Sequence, residues 1–167
     1  MARPERRVVV CNTSPIIALA CVGQLELLHG VYAQIVIPNA VFDEITVAGA
    51  GEPGAREVVE SPWIKRQPVS NAPLATALRL ELDAGEAEAI ALAVESNANL
   101  ILLDERLGRR AAHRLGLTVV GTLGVLIAAK DRGLLAAVRP VLDALHADAG
   151  FWITDELYNA VLKAANE

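Results

Sequence analysis

Four short apolar runs recur along this chain, Arg7 to Cys11 (RVVVC), Ile35-Val36-Ile37, Leu100 to Leu103 (LILL) and Thr118 to Val120. Their apolar residues are consecutive rather than alternating, so each run, read as a strand, is buried on both faces. Strands of that kind belong to parallel sheets covered by helices on either side. The stretches between them supply the helices. Pro15 after Ser14 is a cap and first-turn signature, and Ile16 to Cys21 continues that helix to Gly23, with another turn or two over Leu25 to Leu28. Pro38 opens a helix through Val41, Phe42 and Ile45. A Gly-rich loop at 47–54 precedes a weak helix at 55–59 and an edge strand from Trp63 to Gln67. From Leu74 the pattern turns helical, breaks near Asp83-Ala84-Gly85 and resumes as an Ala-rich helix from Glu86 to Glu95. Further helices are expected over 106–115, 122–130, 134–145 and 154–165.

The predicted fold class is therefore α/β, a central mostly parallel sheet of about four or five short strands flanked by helices. We expect one domain over 1–167, with its core at about 7–147 and a C-terminal helical tail at 151–167. With 53% hydrophobic residues the chain can bury a core of Ala, Leu, Val and Ile. No run approaches the 18 or so apolar residues of a membrane span, and the basic start lacks a signal-peptide core. The expected location is the cytoplasm. Cys11 and Cys21 read as buried thiols, without the partners that a disulfide frame or a metal knuckle needs. A net charge of −5 argues against nucleic-acid binding through overall charge. Such binding needs a local basic patch, or a metal that neutralises acidic groups.

In open parallel sheets ligands gather beyond the carboxyl ends of the strands, which directs attention to Asn12 and Asp104. Glu44 and Glu86 lie on segments that can lean over the same edge, and these four form the candidate catalytic and metal-binding set. Crowded carboxylates need a cation among them, and Mg²⁺ or Mn²⁺ with oxygen ligands fits. Each residue also has an ordinary structural explanation. Asp83-Ala-Gly-Glu86 matches a capping box, Asp104 suits a helix cap, Glu44 suits a solvated helix face, and Asn12 suits a turn. Arg106, Arg109, Arg110 and Arg114, with His113, recur at three- and four-residue spacings. They read either as a phosphate-backbone surface or as a solvated face balancing the acids. The scattered histidines give no zinc pattern, and neither a phosphate loop nor a nucleophile elbow is present. Gly121-Thr-Leu-Gly124 reads as an allowance for close helix packing.

The segments Val8-Val-Val-Cys-Asn-Thr-Ser-Pro-Ile-Ile-Ala-Leu19, Ile37-Pro-Asn-Ala-Val-Phe-Asp-Glu44-Ile, Leu82-Asp-Ala-Gly-Glu-Ala-Glu-Ala-Ile-Ala-Leu-Ala93 and Leu100-Ile-Leu-Leu-Asp104-Glu-Arg resemble, in order, the four acidic segments of PIN-domain proteins. The likeness runs over about residues 8 to 165 and is nearest to an uncharacterised prokaryotic subgroup related to the VapC toxins. It implies a three-layer PIN-like fold and a Mg²⁺- or Mn²⁺-dependent endoribonuclease of toxin type, cutting RNA, single-stranded or structured, with a metal-activated water. It further implies a small antitoxin as partner and a homodimer. By position, Glu44, Glu86 and Asp104 are ligands, Glu88 is an alternative to Glu86, and Thr13 and Ser14 support the first ligand. The departure is Asn12, where the pattern has Asp. An amide oxygen still binds such a cation but adds no charge. The alternative is therefore a catalytically weakened PIN-like module that binds RNA or a protein partner.

Overall fold

A computed structural model describes residues 7–167. Five short parallel strands form one sheet: β1 Val9–Cys11, β2 Ile35–Ile37, β3 Ile64–Arg66, β4 Leu100–Leu102 and β5 Val119–Val120. Their spatial order is β3-β2-β1-β4-β5. The chain thus builds outward from β1 to one edge, then returns beside β1 to build the other half. The consecutive apolar runs are buried at every position in β1, β2 and β4, and only Ile64 of the edge strand β3 is buried. Pairing is in simple register, with Val10 opposite Val36 on one side and Ile101 on the other.

Among the described residues, ten α-helices cover the sheet: α1 Thr13–Cys21, α2 Glu26–Tyr32, α3 Asn39–Asp43, α4 Ala55–Glu60, α5 Ala72–Leu78, α6 Ala84–Glu95, α7 Arg106–Arg114, α8 Thr122–Asp131, α9 Arg139–Asp148 and α10 Asp155–Ala164. α3 runs on into a π-helical turn, Glu44–Ala48. One hydrophobic cluster reaches from Val9 to Ala165 and so includes the C-terminal helix. α6 packs on α3, β1 and β4 and buries Gly85 to Ala87 and Ala89 to Ala93. A helix enclosed on nearly all sides requires small side chains, which explains its alanines. None of the described helices is long and apolar enough to cross a membrane.

Two of the boundaries that differ from the sequence expectation have a clear physical reason. The first helix starts at Thr13 with Asn12 at its cap position, not at Ser14. Its terminal hydroxyls are committed elsewhere: Thr13 Oγ1 donates to Glu44 and Ser14 Oγ to Glu105. Pro15 then occupies a first-turn position where a helix has no use for an N–H. The helix expected from Leu134 begins only at Arg139, with Pro140 in its first turn. A proline deeper inside would clash with the preceding turn and remove a hydrogen bond.

Candidate active site

The reversal of strand order falls between β1 and β4, and a crevice opens there at the carboxyl ends of both strands. Asn12 leaves β1 on this rim, with its backbone N–H bonded to Leu102 C=O at 3.0 Å. Its side chain is 2% exposed. Asn12 Nδ2 donates to Glu105 Oε2 at 3.3 Å, while Oδ1 is buried and has no hydrogen-bond partner. An unpaired buried amide oxygen costs about 1–3 kcal/mol. It is a lone pair directed into a site without a donor to receive it.

The carboxylates arrive from three other elements. Glu44, at the start of the π turn, accepts from Thr13 Oγ1 and from Gly85 N–H at 2.9 Å. The approach is so close that a methyl group on Gly85 would lie 2.7 Å from Glu44 Cδ. A π turn within a helix re-aims the side chains that follow, and such turns cluster at functional sites. Glu86, in the first turn of α6, completes the capping box, with its N–H bonded to Asp83 Oδ1 at 2.8 Å. The same side chain is nonetheless buried, at 6% exposure. Burial first, and then the charges of Asp83, Glu105 and Glu44, push its carboxyl from the usual 4.5 up to about 7. A cap and a member of an acidic cluster are thus the same residue. Glu88 turns away, accepting from Ala40 N–H at 3.2 Å at the start of α3.

The two acids following β4 diverge. Asp104 faces α8, where Thr122 N–H donates to Oδ1 at 2.8 Å and Thr122 Oγ1 to Oδ2 at 2.7 Å. Burial raises Asp104 above the ordinary carboxylate range even though both Thr122 donors and Arg109 favour its ionised form. Gly121 permits this closeness, since a Cβ there would stand 3.0 Å from Asp104 Oδ1 and 2.9 Å from Arg109 Nη1. Glu105 faces the other way, bridging Asn12 Nδ2 and Ser14 Oγ. Glu86 responds to Glu105 and Glu44 among its charged neighbours. The side chains brought together at the crevice are therefore Asn12, Glu44, Glu86 and Glu105, and Asp104 stands at its margin toward α8. Sequence reasoning did not single out Glu105. The available signal was its place next to Asp104, with one more methylene of reach.

Among the described residues no group of three or more His, Cys, Asp or Glu side chains stands ready to hold a metal ion. The donor set that fits a divalent cation is a mixed one, the orphaned amide oxygen of Asn12 with the carboxylates around it. Oxygen-only donors of this kind suit Mg²⁺ or Mn²⁺. Cys11 contributes nothing, because burial together with the charges of Asp104 and Glu105 holds its thiol protonated.

The arginines of α7 do not form one surface. Arg109 Nη1 donates to Leu103 C=O at 3.1 Å, which brings its charge to the Asp104 margin. Arg110 and Arg114, with His113 and Leu107, line a separate cavity of about 670 Å³, where Arg114 pairs with Glu81 at 3.1 Å. Arg106 is exposed.

No curated protein matches the sequence. Among solved structures, the fold is similar to that of a PilT N-terminus domain protein from the hyperthermophilic archaeon Sulfolobus solfataricus, with a TM-score of 0.56 and 20% identity. The match covers 73% of this chain and 92% of that one. The family model described as PIN domain matches residues 8–167. PIN is a nuclease-type fold whose members are generally dependent on divalent metal. With that match spanning both halves of the sheet and every residue of the crevice, the chain belongs to the PIN-domain family.

Proposed function

We propose that this protein is a divalent-metal-dependent endoribonuclease whose site is the crevice between β1 and β4. The observation that carries the reading is the orphaned, buried Asn12 Oδ1 beside the crevice carboxylates, among which burial first and neighbouring negative charges second have raised Glu86 to about 7. A cation is the one guest that relieves both costs together. Asn12, Glu86 and Glu105 would hold it, with Glu44 completing the set. The geometry favours Glu105 over Asp104 for this role, because Thr122 already donates to both Asp104 oxygens. Asp104 instead fixes the start of α8 against the site. When bound, Mg²⁺ or Mn²⁺ supplies an activated water and offsets charge developing on a phosphodiester.

The chain's own residues prepare that chemistry. Ser14 Oγ and Asn12 Nδ2 orient Glu105, and Thr13 Oγ1 and Gly85 N–H orient Glu44. Burial keeps water off Glu86. Arg109 brings a positive charge to the margin where an anionic substrate would approach. RNA is the substrate class that the PIN fold suggests. A VapC-like toxin role, with a small antitoxin and a homodimer, remains a finer proposal on the same site. The test is cleavage of single-stranded RNA in Mn²⁺ by the native protein beside Glu105→Gln and Glu86→Gln. Loss of cleavage in both supports the assignment, and equal cleavage by all three rejects it.

The second reading is a weakened module that binds without cutting, favoured by the neutral amide at position 12. Asn12→Asp separates the two: cleavage that appears only in the variant identifies the native chain as a binder.

A further inference from the structure

Trp152 is 78% exposed, an unusual condition for the largest apolar side chain in a protein with two tryptophans. It lies between α9 and α10, and that loop is built. Gly150 takes a left-handed conformation at φ +63°, and Phe151 N–H bonds back to Leu145 C=O at 3.1 Å. Trp152 forms the ridge between two cavities that meet at the acidic rim. One, of about 390 Å³, is lined by Ser14, Ile17, Asp104 and Glu105 as well as Phe151 and Trp152. The other, of about 590 Å³, is lined by Asp104, Arg109, Gly121 and Leu157 together with the same two aromatics.

The chemistry of these walls decides what fits. Both cavities are lined by the two aromatics together with Asp104, and the second adds the cation of Arg109. An apolar protein surface would cover Trp152 but leave the charges of Glu105 and Arg109 at its edge without a complement. A nucleotide has the matching division, a flat base for the ring and a phosphate for the cation. A base in a duplex is already stacked on both faces, so only an unpaired one can use the ridge.

We propose that Trp152 is a stacking platform for an unpaired base of single-stranded RNA, holding the strand across the crevice with Arg109 facing the adjoining phosphate. The proposal rests on the RNA reading above and adds to it how the strand is gripped and why single strands are preferred.

The experiment is binding of a labelled short single-stranded RNA in Ca²⁺, followed by polarisation and by tryptophan emission, with the RNA recovered intact on a gel. Duplex RNA of the same sequence is the comparator. Native protein should bind the single strand more tightly than the duplex, with quenching of tryptophan emission. Trp152→Ala should weaken single-strand binding about 10-fold, within the range for losing one stacked base. Trp152→Phe should keep affinity within about twofold while losing the quenching, since Trp63 is buried. If native protein binds RNA and Trp152→Ala binds it equally, the platform is rejected and the nuclease reading stands. If native protein binds no RNA, both fall. If Trp152→Ala instead shifts a dimer to monomer in sedimentation and leaves RNA affinity unchanged, the ridge is an interface between copies and the proposal is overturned.

Discussion

The two sides of the β4 carboxyl end put adjacent acids to opposite uses. Toward α8, Asp104 receives a hydrogen bond on each oxygen from Thr122, itself fully buried, so strand and helix are fastened by a closed set of donors and acceptors. Toward β1, Glu105, Glu44 and Glu86 accept from donors at the starts of α1 and α6, Asn12 Nδ2 among them, yet Asn12 Oδ1 has no partner and Glu86 is forced toward its neutral form. The first arrangement is complete in the protein alone. The second leaves one buried acceptor without a partner. A carboxylate's role thus follows from how many of its neighbours' needs are already met, more than from its position in a motif.

Truncating the closed side should give the largest effect. Asp104→Ala removes both acceptors of a fully buried Thr122, and we expect a loss of about 2–3 kcal/mol in urea unfolding. Mn²⁺ affinity of the remaining folded protein should change little. A variant that unfolds normally but no longer binds Mn²⁺ would invert the comparison. On the open side, Glu105→Gln retains the side chain's shape and removes its charge. Mn²⁺ affinity by calorimetry should drop roughly 10-fold or more while unfolding shifts by less than about 1 kcal/mol.

Asn12→Asp sharpens the contrast further. Its new charge should raise Mn²⁺ affinity by about 10-fold, in line with the dependence on ligand charge. Without metal it replaces the Nδ2 bond to Glu105 by repulsion, so the metal-free protein should be less stable and Mn²⁺ should restore it. The last prediction concerns pH. Glu86 sits at about 7 in the folded chain against 4.5 ordinarily. The folded state therefore holds the proton more tightly, and this contribution to stability is fully present below about pH 4.5 and is lost as pH rises through 7. Metal-free stability should decline across that window, and Glu86→Gln should flatten the decline. Mn²⁺ affinity should rise over the same range, because binding must displace the proton.

The exposed basic residues show where sequence spacing misleads. Arg106, Arg109, Arg110 and Arg114 share helical spacing, but a helix has more than one side. Arg109 turns to the sheet edge and Arg110 and Arg114 to another cavity. The boundary at Arg139 was legible in principle from Pro140, whose ring excludes it from a helix interior. The capping box at Asp83–Glu86 was legible as a motif, whereas its burial was not, because burial depends on α3 and the strands closing over α6.

The sequence by itself determined the parallel sheet, since consecutive apolar residues such as Val8 to Val10 and Leu100 to Leu103 bury both faces of a strand. It also determined that Asn12 and the 104–105 pair lie on one rim, because the chain's alternation directs strand ends to the same side, whereas the adjacency of β1 and β4 came with the fold. Only the tertiary structure decided which partners each of the two adjacent acids takes. Asp104 and Glu105 have the same charge, and the choice lies in donors brought from far along the chain: Thr122 for one, Asn12 and Ser14 for the other. Hydrogen bonds over such separations are fixed by packing, which no local pattern encodes.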